Sequence, residues 1–142
     1  MRGLFVVLII TGTLAILAEP LASAYYWIHH TELILDFIPI NISQGHHMVF
    51  SGRLLTSEDK TPLPDRTIFI QYDSPYDATR TITSAKTDSN GYFMASWIAE
   101  PKGYSGGTYY IFAKFNGDDE NFFSISHQYI LNVFPTLPKI TR

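Results

Sequence analysis

The stretch Asp88-Ser89-Asn90-Gly91-Tyr92-Phe93-Met94-Ala95-Ser96-Trp97-Ile98 decides the fold class. It opens with turn chemistry, since an Asn-Gly pair tolerates the positive φ values that tight hairpin turns need. The rest alternates, with Phe93, Ala95 and Trp97 on one side and Tyr92, Met94 and Ser96 on the other. That period belongs to a strand with one buried face; a helix would return an apolar residue every three or four positions. The stretch therefore predicts a hairpin turn over 88–91 and a half-buried strand after it, with Trp97 in the core.

The same period continues outward. Thr31 to Phe37 places Leu33, Leu35 and Phe37 on one face, with Glu32 and Asp36 on the other. Met48, Phe50, Gly52 and Leu54 share a face, as do Ile68, Ile70 and Tyr72. Arg80 to Thr87 is a weaker strand, because Ile82 and Ala85 break the alternation as a bulge or an edge position would. Beyond the opening stretch, Tyr109, Ile111, Ala113 and Phe115 align, and then Tyr129, Leu131 and Val133 within Ser126 to Phe134. Proline, glycine and clustered polar residues fill the gaps at 56–66, 99–107 and 116–121. About seven short strands with no competing helical period predict an all-β, two-sheet β-sandwich.

Several motifs carry a resemblance. Val49-Phe50-Ser51-Gly52-Arg53-Leu54-Leu55, Pro62-Leu63-Pro64 and Thr67-Ile68-Phe69-Ile70 resemble the opening of prokaryotic immunoglobulin-like surface domains. Thr87 to Phe93 is similar to their hairpin, which carboxypeptidase-regulatory (transthyretin-like) domains share. Tyr109, Ile111, Ala113, Phe115, Gly117 and Asp118 resemble the strand and turn near their end. The likeness spans residues 47–134. It implies an immunoglobulin-like sandwich and an extracellular habit, and brings no catalytic residue. Immunoglobulin-like and transthyretin-like strand orders both stay open.

The N-terminus points to export. Arg2 is the only charge before Glu19, Gly3 to Ala18 is almost wholly apolar, and Pro20 precedes Ala22-Ser23-Ala24. A signal peptidase reads that small-x-small pattern, so 1–24 reads as a signal peptide cut before Tyr25. The apolar run is shorter than the roughly 20 residues of a membrane span. The competing reading is an uncleaved anchor, in which Tyr25, Tyr26, Trp27 and Ile28 lengthen the run and sit at the interface. Residues 25–46 then form an N-terminal segment with the first strand, 47–134 the sandwich core and 135–142 a tail. The expected location is extracytoplasmic, secreted or at the cell surface, and membrane-anchored if the signal is retained.

The formal net charge is −3, with no basic run, which argues against nucleic acid as a partner. The chain has no cysteine, which excludes thiol catalysis and cysteine-ligated metals. The remaining candidates each meet a plainer reading. His29-His30 and His46-His47 offer imidazoles, yet neighbours in a strand point to opposite faces, so surface histidines are the simpler account. Asp118, Asp119, Glu120 and Asn121 are the hard oxygen donors calcium takes, but their contiguous spacing suits a solvated turn. No Gly-x-Ser-x-Gly elbow occurs, and the acidic residues sit mostly in turns. The expectation is a non-enzyme without a cofactor. Asn41-Ile42-Ser43 is an N-glycosylation sequon.

In an immunoglobulin-like order the third, sixth and seventh strands share a sheet. Its outer face would carry Phe69, Gln71, Tyr110, Phe112, Lys114, Ile130 and Asn132. The other outer face would carry Glu32, Ile34, Asp36, Val49, Ser51, Arg53, Tyr92, Met94 and Ser96. The first is richer in aromatics, so Phe69, Tyr110, Phe112 and Ile130 are the expected contact residues for an envelope or membrane protein. The alternative function is a small-ligand or glycan site using Tyr25, Tyr26, Trp27, Tyr76 and Tyr104. N-terminal sequencing of the exported protein is expected to begin at Tyr25. A start at Met1, with extraction only in detergent, would establish the anchor instead.

Overall fold

A computed structural model describes residues 27–74, 77–101 and 106–137. These residues form nine strands: β1 (Thr31–Leu35), β2 (Asn41–Ser43), β3 (His47–Thr56), β4 (Thr67–Ser74), β5 (Asp77–Lys86), β6 (Tyr92–Ile98), β7 (Gly107–Phe115), β8 (Ser124–Ile125) and β9 (Tyr129–Phe134). Two are additions to the sequence reading, the short β2 and β8. No helix occurs among the described residues.

The strands make two sheets. The smaller has the order β1-β3-β6; the larger has the order β2-β9-β7-β4-β5, with β8 alongside β7. Every pairing is antiparallel except β2 with β9, which is parallel. The strands expected to share a sheet, β4, β7 and β9, are neighbours in the larger one. An immunoglobulin-like order expects these three strands together, but it sets the fourth strand in the opposite sheet, and here β5 lies beside β4 in the larger one.

Alternation places the core where period-two reading predicts. Phe50, Leu54 and Phe93 from the small sheet meet Ile68, Ile70, Ile111, Leu131 and Val133 from the large one, all fully buried. Gly52 is the tight point between them. It pairs with Leu35 on β1 and Phe93 on β6. A Cβ there would lie 2.0 Å from the Ile34 carbonyl oxygen and 2.6 Å from Phe93 Cζ. A strand glycine often marks such a close approach, and here it admits the phenylalanine ring.

Three expectations need correction. Asp88–Gly91 is a tight turn, but the strands it joins lie in different sheets, so it is an arch and not a hairpin. The cause is the anchoring on either side. Buried Thr87 donates its hydroxyl to the Leu63 carbonyl at 2.6 Å and accepts the Arg66 N–H at 2.9 Å, which ties it to the approach to β4. Gly91, at φ +77°, accepts the Leu54 N–H at 2.9 Å and so belongs to β3. Second, β1 stops at Leu35, Phe37 is exposed, and Ile38 enters the core in its place. Pairing with β3 ends at Gly52, and the chain turns away after the Asp36 N–H meets the Ser51 carbonyl. Third, Trp97 is only half-buried, packing its ring near those of Phe50 and Tyr109 at the margin of the core.

The irregularity of β5 has its expected cause. It is the edge strand, and its register with β4 shifts between Ile70 and Gln71 and again between Tyr72 and Ser74. Gly52→Ala is expected to lower the melting temperature by an amount equivalent to about 1–3 kcal/mol, the usual cost of overpacking a core. Ser96→Ala, on the solvent side of β6, should stay within about ±0.5 kcal/mol. Equal melting temperatures for the two variants would place Gly52 outside the core.

Candidate functional site

The outer face of β1–β3–β6 is built from the residues that alternate with the core. Register sets their neighbours: Ile34 lies opposite Arg53, Arg53 opposite Tyr92, Ser51 opposite Met94, Val49 opposite Ser96 and His47 opposite Ile98. Met94 is 71 % exposed, and Ile34, Val49, Tyr92 and Ile98 are each about half exposed. The serines between them are small and leave Val49 and Met94 as the largest groups near the middle of the face. Polar contacts fix its margin. Ser51 donates to Asp36 at 2.7 Å, Arg53 Nε donates to the Asn90 carbonyl at 2.9 Å, and the Arg53 guanidinium lies 4.6 Å from the centre of the Tyr92 ring. The result is an apolar strip held on rigid strands, with one cation stacked at its edge.

The face of the larger sheet differs from expectation. Phe69, Tyr110, Phe112 and Ile130 do lie on it, with Gln71 opposite Phe112 and Tyr110 opposite Ile130. Phe112, expected at its open centre, is only 7 % exposed. The register is not at fault, because its neighbours Ile111 and Ala113 are fully buried on the core side. The covering comes from the segment around β8. Ser126 Oγ accepts the Ala113 N–H at 2.9 Å, and Asp73, Ile125, Ser126 and Gln128 line a cavity of about 250 Å³ with Phe112. Phe69 and Tyr110 are part-buried, which leaves Ile130 as the one member of the expected set that is half exposed. Of the missed residues, Met94, Val49 and Ile34 were read as outward-facing and Ile98 continues the same alternation; what the sequence lacked was any sign that β8 would close the rival face.

The other candidates separate. Tyr25, Tyr26, Tyr76 and Tyr104 lie outside the described residues, as does the proposed signal peptide 1–24; Trp27 is 81 % exposed. His46 and His47 are exposed before and at the start of β3, and the His46 ring nitrogen lies 3.2 Å from the Ser43 carbonyl oxygen. His29 and His30 precede β1, which runs antiparallel to β3, so the two histidine pairs sit toward opposite ends of the sheet. Among the described residues no three histidine or acidic side chains are grouped to hold a metal ion. Asp118, Asp119 and Glu120 line a shallow cavity of about 400 Å³ with Arg66. The Arg66 guanidinium sits 2.6 Å from Asp118 and occupies the place a cation would need. Asn41 is exposed and accepts the Asn132 amide at 3.1 Å.

Among the described residues, two carboxylates are shifted downward. At Asp118, partial burial acts to raise the pKa, but hydrogen bonds from the Glu120 N–H and the Asn121 amide, with the Arg66 guanidinium, hold it below the ordinary range. At Asp59, the Thr56 hydroxyl and then the Thr61 side chain and N–H lower the pKa to about 2. A carboxylate depressed in the folded state stabilises fully above its unfolded pKa, near 3.9, and loses that contribution as pH falls through the folded value. NMR titration should therefore find Asp59 ionising near 2. Thr56→Val should move the midpoint up toward the ordinary carboxylate value, and an unmoved midpoint would show that the Thr56 hydroxyl is not the cause.

No protein-family model matches this chain, and no curated protein matches it.

Proposed function

We propose that this chain is a non-catalytic, exported immunoglobulin-like binding domain that docks on an envelope or membrane protein. The observation that supports it is the exposed apolar group of Val49, Met94 and Ile98, in which Val49 is the diagonal neighbour of the other two, with Ile34 beyond Arg53 on the same face. Contiguous apolar surface on a small domain usually marks an interaction site. Rigid strands limit the entropy lost on binding, because the side chains are already placed. The charge pattern fits a protein surface better than nucleic acid, since Arg53 is the one cation among the outward residues of this face and the chain is acidic overall. The signal-like N-terminus and the resemblance to prokaryotic surface domains support the compartment.

This reading moves the expected contact residues from Phe69, Tyr110, Phe112 and Ile130 to the opposite sheet, because the first set is mostly covered. Met94→Asp is expected to leave the melting temperature within about ±0.5 kcal/mol, as for most surface changes. Recovery of the partner from intact envelope should fall at least about tenfold, equivalent to ~1.4 kcal/mol of binding. Ile130→Asp, on the other face, should retain the partner. Loss of the partner with Ile130→Asp and not with Met94→Asp would return the site to the larger sheet; retention in both would remove the sheet faces from consideration.

A further inference from the structure

A second apolar surface lies where the described chain begins, away from the sheet face just discussed. Residues 27–30 run beside 120–123. The His29 N–H donates to the Glu120 carbonyl at 2.8 Å, and the Phe122 N–H donates to the His29 carbonyl at 2.9 Å. The His30 ring stacks on Phe122 with centroids 4.9 Å apart, and the Thr31 hydroxyl donates to the Phe122 carbonyl at 2.9 Å. Two segments distant in sequence are thus locked together, and beside exposed His29, His30 and Glu120 they display four apolar side chains. Trp27 is 81 % exposed and Phe123 62 %, with Ile28 and Phe122 each above two-fifths.

The chain itself indicates what covers them. The apolar run Gly3 to Ala18 ends eight residues, 19–26, before Trp27. A fully extended chain covers at most about 3.3–3.6 Å per residue, so this end of the sandwich stays within roughly 30 Å of that run. Tryptophan and other amphipathic rings favour the headgroup level of a bilayer. Asp118, Asp119 and Glu120, next to Phe122, would be repelled by an anionic surface and tolerated by a zwitterionic one. We propose that Trp27, Ile28, Phe122 and Phe123 form an interfacial foot that seats this end of the domain on a zwitterionic bilayer. The foot relies on a retained leader to bring this end to the bilayer, and it leaves the β1–β3–β6 face free.

The test uses the full chain with phosphatidylcholine vesicles. Phe123→Trp, combined with Trp27→Phe and Trp97→Phe, reports position 123 alone. Its emission should shift to the blue on adding vesicles and be quenched at least twofold by lipids brominated near the headgroup end of the acyl chain. An excess of phosphatidylserine should weaken the quenching. A retained leader holds this end near the bilayer without contact, and bromine quenches only close to contact, so quenching at position 123 reports seating and not tethering. Water-like, unquenched emission overturns the proposal. Should circular dichroism show the triple variant unfolded, Phe122→Ser with Phe123→Ser in the otherwise unchanged chain serves instead: Trp27 quenching should fall at least twofold, and unchanged quenching overturns the proposal. A lipid-free dimer that Phe123→Ser dissociates would assign the surface to a second copy and also overturn it.

Discussion

The chain must cross from one sheet to the other between Lys86 and Tyr92, and the rest of the architecture depends on how it does so. Thr87 is buried and holds the incoming strand to the loop before β4 through both its hydroxyl hydrogen bonds. Gly91 holds the outgoing strand to β3, and its backbone lies so near Leu54 that a Cβ would come within 2.5 Å of the Leu54 carbonyl. Between them Asp88 accepts the N–H groups of Asn90 and Tyr92 at 2.8 and 3.0 Å, which closes the turn without help from a partner strand. With β5 committed to one sheet and β6 to the other, Phe93 can reach across Gly52 into the interior. The two sheets are thereby set face to face along the whole length of β3.

This crossing also explains what was legible in the sequence. Strand positions and core faces came from a local signal, the period of two, and Phe50, Leu54, Ile68, Ile111 and Leu131 are buried as that signal requires. The turn at Asp88–Gly91 was equally local. Which strands it would join was not, because Asn-Gly specifies backbone torsions and leaves the partners open. Phe37 failed for a related reason: alternation predicts a face only while the strand lasts, and β1 loses its ladder after Leu35. The short β2 and β8 carry too few residues for any periodic signal and exist because β9 and β7 offer them a ladder.

The candidate site was legible in part. The sequence separated the outward residues of both sheets correctly, and then ranked the faces by aromatic content. Exposure depends on what lies above a residue, and that is a tertiary property. Phe112 is covered by a segment more than ten positions further along, around β8, whereas no described strand or loop lies over Met94, which stays 71 % exposed. Aromatic rings on an edge-crowded sheet serve packing; aliphatic side chains on an uncovered one remain available for contact.

The parallel pairing of β2 with β9 has a mechanical meaning. β2 follows β1 in the chain, and β9 ends in the segment by which the described chain leaves the sandwich. Once β1 has come away from β3, tension between the segment before β2 and the segment after β9 pulls these parallel neighbours in opposite directions along their length. The bonds joining Asn41, Ile42 and Ser43 to the stretch 132–134 are then sheared together and share the load. In an antiparallel terminal pair the same tension would open the bonds one at a time. The β2–β9 pair thus meets tension in the orientation that resists it best.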